Sequence, residues 1–389
     1  MKRKLLIFFI IALVAANALS GAVRTFAEEE NEEDILSKMV GAISADELNE
    51  KLDELFSFLG KDGGDFKEKI LAIVNGDLSV RYDSLFSAVL SLVFDEIGQF
   101  AVVFLLIVGL SLAFSLVKAL NPDVMEGETG GVIRFALMSL SLGALAVKTF
   151  AVFQDAYERV KSVSAQTEVV FPPLITVMTF TGSNLSAGLY RPVCVFLSSF
   201  VTGILTKIVF PLIFFSLIIT TVSELSETLK TDGILKFVGS MNKWILGIIT
   251  VVFTFFITVK GASSGYSDGI ALRLAKYAIG NSVPIVGGFL RDGSETVLAS
   301  GVLIKNALGV CGLALIAFYL VVPVVKIAVF TLFLKLTAAL SEMLGDAKTG
   351  AYLYKIAGIA NYALAAELVI SYLYIITFVT IIFSGGAFV

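Results

Sequence analysis

The sequence predicts an all-α polytopic membrane protein with about six to eight transmembrane or half-membrane helices. Three observations predict it. Of 389 residues, 57% are hydrophobic and 16% charged, and the mean hydropathy is +0.90, which excludes both an ordinary soluble domain and a disordered chain. Several apolar runs approach the roughly 20 residues that a helix needs to cross a bilayer core. Those runs are rich in Val, Ile and Phe and lack the period-2 alternation of a membrane barrel.

The chain opens with a basic start, an apolar stretch and small residues, "MKRKLLIFFIIALVAANALSGAVRTFA", the layout of a signal peptide cleaved after Ala27. An uncleaved anchor helix is the alternative. Cleavage would remove Lys2, Arg3, Lys4 and Arg24 and take the net charge from −4 to −8. A polar export-side region then runs over 28–97. Its acidic opening, "EEENEEDI", reads as a solvated tail. Leu48, Leu52, Leu55, Phe56 and Leu59 recur at helical spacing behind a capping box at Ser44 and Glu47. So small a segment has little core of its own and should lean on the membrane domain or on a partner.

The membrane domain spans 98–389. Its first apolar run, Gly98 to Leu120, stops at "NPD", and the second is Val132 to Phe153. From Val193 to Val222, Lys207 and Pro211 divide an apolar stretch into two pieces, each too short to cross alone, so half-helices meeting at Pro211 are expected. A plain span from Trp244 to Val259 follows. Next comes "SSGYSDGIALRLAKYAIGNSVPIVGGF", an amphipathic connector carrying Asp268, Arg273 and Lys276, with Asn281 and Pro284 in a sharp loop. Runs from Val302 to Val322, from Pro323 to Leu340 and from Tyr362 to Phe383 complete the domain.

An internal repeat organises these runs into 130–241 and 242–361. Lys148, Pro172 and Pro211 recur as Lys260, Pro284 and Pro323, always 112 residues on; "LSETL" matches "LSEML", and "GSMN" resembles "GIAN". Duplication and repeated membrane composition both account for the pattern. If it is a duplication, the connector corresponds to "QDAYERVKSVSAQTEVVFPP", and each repeat carries a polar helix, a Pro loop and a Pro-broken run. Transporters build central pathways from such parts, because unwound backbone in a membrane must line a cavity or be buried in protein.

Ionisable groups inside apolar runs are costly when they face lipid. Lys207, Lys305, Lys326, Lys335 and Glu367 are therefore candidates for a polar interior, with snorkelling to the headgroups as the competing expectation, preferred for Lys305 and Lys148. Glu367 could pair with one of these lysines. Histidine is absent from the sequence, which excludes serine–histidine catalysis and imidazole metal sites. No phosphate-binding loop, cofactor motif or clustered cations for nucleic acid are present, so no enzyme activity, cofactor or nucleic-acid partner is expected. Cys194 and Cys311 sit apart in apolar runs and read as core residues.

"KGASSGYSDGIALRLAKYAIGNSVPIVGG", "LIKNALGV" with Asn306, "VVPVVK" and "KLTAAL", together with "NGD" and "PLIF" upstream, resemble the stage III sporulation protein AE family of endospore-forming bacteria. The resemblance implies a membrane subunit of the channel-like, secretion-like complex that joins mother cell and forespore and is required for late forespore development. It places that subunit in the mother-cell-derived outer forespore membrane. Implied partners are other stage III sporulation operon proteins, among them a cytoplasmic ATPase and ring-forming membrane proteins, and indirectly a forespore membrane protein. An autonomous secondary transporter for a small solute or ion, and a non-conducting scaffold, remain the alternatives.

Overall fold

Long apolar runs with few breakers produce long helices, and the computed structural model contains no strand among the described residues. It describes residues 49–50, 52–53, 64–74, 82–123, 128–181, 183–225, 230–282 and 287–383; side chains of 71–89 and 260–300 lie outside the description. The longer helices among the described residues are, in order, α1 (Phe66–Val74), α2 (Tyr82–Leu120), α3 (Glu128–Phe180), α4 (Asn184–Leu225), α5 (Asp232–Ser282), α6 (Gly287–Met343) and α7 (Ala347–Phe383). Six of them, α2 to α7, contain stretches long and apolar enough to cross a membrane. The chain is a multi-pass membrane protein.

Several helices far exceed a bilayer. At 1.5 Å per residue, the 53 residues of α3 extend about 80 Å against a hydrocarbon core of about 30 Å. The polar stretch after Phe153 is therefore a direct helical continuation of the second span. The same holds for the backbone of the connector, which stays helical to Ser282. The boundary at 97/98 falls inside α2, and that at 241/242 inside α5.

The antiparallel pair α6 and α7 forms the centre, and α2, α3, α4 and α5 pack around it. Gly312 lets the pair close up: it faces Phe378 of α7 and Val170 of α3 directly. Small residues at such crossings allow the dispersion contacts that drive association where lipid is the solvent. Outward positions such as Val102, Leu105, Val147, Trp244 and Phe255 are exposed and apolar, the surface that lipid would cover. The turn into α7 needs Gly345 at φ 84°, a left-handed conformation that a side chain would strain. There Asp346 accepts from the Thr349 N–H at 3.3 Å and from the buried Ser111 hydroxyl at 3.1 Å, which ties α2 to the α6–α7 corner.

Three expectations need correction. The run containing Pro211 is not two half-helices: α4 is helical throughout, with π-helical segments at Phe196–Val201 and Leu205–Val209. A proline at 211 offers no N–H and crowds the carbonyl four residues back, and the wider π turn immediately before it accommodates that misfit without unwinding the chain. Pro323 likewise lies inside continuous α6. Pro172 and Pro173 lie inside α3, where a loop was expected; the Pro172 carbonyl accepts from the Thr176 hydroxyl at 2.8 Å. Its counterpart Pro284 falls among 283–286, outside the described residues.

The segment ahead of α2 packs on the bundle, since α1 contacts α6 and Leu52 and Ile70 join the common core. Lys69 is buried beneath it and reaches Asp53 at 2.7 Å and the Asn49 side-chain amide oxygen, Oδ1, at 2.5 Å. Ser44 and Glu47 lie outside the described residues. Replacing Lys69 with Met would strand Asp53 and release that clasp. Limited proteolysis should then cut ahead of Phe66 faster than in the wild type while the bundle resists cleavage as before.

Candidate functional site

Where α2, α3, α6 and α7 meet, six ionisable side chains converge within an otherwise apolar bundle. Its centre is an ion pair between Lys326 Nζ of α6 and Asp155 Oδ2 of α3 at 2.8 Å. Asp155 Oδ1 also accepts from Arg159 Nε at 3.2 Å, one helical turn along α3. Glu96 of α2 is buried, lies within electrostatic range of Lys326, Lys148, Asp155 and Arg159, and has one carboxylate oxygen without a hydrogen bond. The Lys148 ammonium sits 5.0 Å from the centre of the Phe100 ring, a cation–π contact across the α2–α3 interface. Glu367 of α7 completes the group from the inner side, fully enclosed and within range of Arg159 and Asp155.

The helix register explains the convergence. Asp155 and Arg159 are four apart and share a face of α3, and Lys148 precedes Asp155 by seven residues, close to two turns, so it falls on the same stripe. Three carboxylates and three cations nearly cancel, which lowers the cost of holding them among apolar side chains. The cluster can hold the four helices in one arrangement, and it offers alternative pairings if the helices shift.

Of the expected residues, Lys326 and Glu367 come together here, though not as a pair, because Lys326 binds Asp155. Lys335, nine residues after Lys326, is exposed on the opposite side of α6. Lys207 is exposed within the second π segment. Pro211 lines an open groove of about 540 Å³ between α3 and α4 with Gln154, Tyr157, Thr206 and Phe214. Pro323 is buried. Lys305, for which snorkelling was preferred, is instead fully buried, and the Asn306 side-chain oxygen beside it is enclosed without a partner. Asp268, Arg273, Lys276, Asn281 and Pro284 lie outside the residues whose side chains are described.

Sequence reasoning missed Asp155, Arg159 and Glu96. They stand at the edges of apolar runs and read as surface residues of a connector and of the export-side region. The usable signal was the i, i+4 pairing of Asp155 with Arg159 in the polar helix expected after the second span.

Residues 64–385 match the family described as stage III sporulation protein AE. The chain belongs to this family. The stage III sporulation protein AE of Bacillus subtilis (strain 168) is 25% identical over 374 residues, 95% of this chain and 93% of that protein. No solved structure matches. The membrane bundle α2 to α7 and the charge cluster fall inside the matched region, so this family member is a sporulation protein whose matched portion carries the six candidate spans found among the described residues.

Proposed function

We propose that this family member is the membrane core subunit of the channel-like, secretion-like complex that joins mother cell and forespore, and that it serves late forespore development. The observation that carries the reading is the charge cluster at Asp155, Lys326, Arg159, Glu96, Lys148 and Glu367: groups this expensive to bury belong to a working interior rather than to a lipid-facing wall. The subunit sits in the outer forespore membrane with its N-terminal region on the export side after signal cleavage. It assembles with ring-forming proteins of the same operon, draws energy from their cytoplasmic ATPase, reaches a forespore membrane protein through them, and performs no catalysis itself.

The continuity of α4 and α6 through Pro211 and Pro323 speaks against an autonomous transporter built on unwound half-helices, and for a packed bundle that acts within an assembly. It also favours a second reading, a membrane scaffold that conducts nothing.

A complementation experiment tests both. In an endospore-forming host deleted for its own family member, the chain should restore a late forespore reporter and co-purify with the operon's ring-forming proteins from sporulating cells. Restored reporter expression without any co-purification would sink the subunit reading. A Lys326→Gln chain that still co-purifies but fails to restore the reporter would favour a working interior; one that restores it fully would favour the scaffold.

A further inference from the structure

Glu367 and Tyr374 of α7 are both fully enclosed, and neither carboxyl oxygen of Glu367 has a hydrogen-bond partner. They are seven residues apart, close to two turns, which places them on one stripe about 10 Å apart along the axis. Between them Ser371 is also buried, its hydroxyl turned back to the Glu367 carbonyl at 2.6 Å. Opposite this stripe, the hydroxyls of Thr202, Thr167 and Ser164 from α3 and α4 gather around the Tyr374 hydroxyl within hydrogen-bonding reach, and Arg159 and Asp155 lie towards Glu367. Ser164 itself donates to the Ser198 carbonyl at 2.8 Å. A polar seam therefore runs along the α3–α7 interface from the charge cluster to Tyr374. Beyond Tyr374 it ends at the stacked rings of Phe171 and Phe378, whose centres are 4.9 Å apart.

Leaving such groups unsatisfied is costly, and interiors ordinarily meet that need with bound water making about three hydrogen bonds per molecule. We propose that this seam is a water-binding inlet that opens at the Asp155–Lys326–Arg159 cluster, follows Glu367 and Ser371, and ends blind at Tyr374. Its ligand is water or hydronium.

X-ray hydroxyl-radical footprinting in lipid nanodiscs tests this, because radicals form on bound water and oxidise the side chains beside it. The decisive measurement uses the wild-type chain. Tyr374 should be oxidised several-fold faster than Tyr190, which is comparably enclosed but bonds the Thr380 carbonyl, past the Phe378 ring along α7. In Glu367→Leu that excess should fall, while Glu367→Gln, which keeps hydrogen-bonding capacity, should retain it. Oxidation of wild-type Tyr374 no faster than Tyr190 would overturn the proposal, and so would an excess that persists undiminished in a folded Glu367→Leu protein.

Discussion

Replacing Gly312 with Leu should abolish the folded membrane domain. A side chain at this position enters the Phe378 ring of α7 and the Val170 methyl of α3 at once, closer than ordinary van der Waals contact. Neither neighbour can yield, because both belong to the common core and Phe378 is already stacked on Phe171. Overpacking a tight interior typically costs about 1–3 kcal/mol, and here the cost falls on the central helix pair and on α3 together. Even Gly312→Ala should lower the detergent melting temperature. Gly143→Ala supplies the contrast: that glycine lies on an exposed face of α3 with nothing near its absent Cβ, so the added methyl should be neutral or slightly stabilising by helix propensity. Fluorescence-detected size exclusion after a temperature ramp measures both, and equal melting temperatures for the two alanine variants would refute the close-packing argument.

The second large effect concerns the pair Asp155–Lys326. Lys326→Gln leaves Asp155 with Arg159 alone and takes from Glu96 the cation that weighs most on it. Asp155→Asn leaves Lys326 in a half-buried position without its partner. Each single change should destabilise the bundle by about 2 kcal/mol, somewhat below the cost of breaking a fully buried pair because solvent still reaches both groups. The charge exchange Asp155→Lys with Lys326→Asp should recover most of that loss, and a double-mutant cycle should return a coupling of about 1 kcal/mol or more. Strict additivity would mean that the two residues are near each other without acting on each other.

The apolar runs of α2, α3, α5, α6 and α7 were legible because lipid leaves the backbone no hydrogen-bond partner but itself, so composition alone dictates helix. The halt of the first span at Asn121 was legible for a similarly local reason. Pro211 and Pro323 were not. A proline's damage to a helix depends on whether neighbouring turns can widen and whether adjacent helices hold the chain in place, and the π segment at Leu205–Val209 is an adjustment that no residue pattern announces. Lys305 was misjudged because its distance from a span end says nothing about which side of α6 faces the core.

The sequence alone established a helical, multi-pass chain of this sporulation family, since hydrophobic length and the family's own motifs are properties read along one dimension. Which charges meet was decided only in three dimensions. Asp155 and Lys326 are 171 residues apart, and their pairing depends on the azimuth of two long helices set by contacts such as Gly312 against Phe378. A helix can turn about its axis at no cost to its own hydrogen bonds; only the packing of its neighbours stops it, and so only the assembled bundle places Glu367 and Tyr374 on an enclosed seam instead of on a face open to lipid.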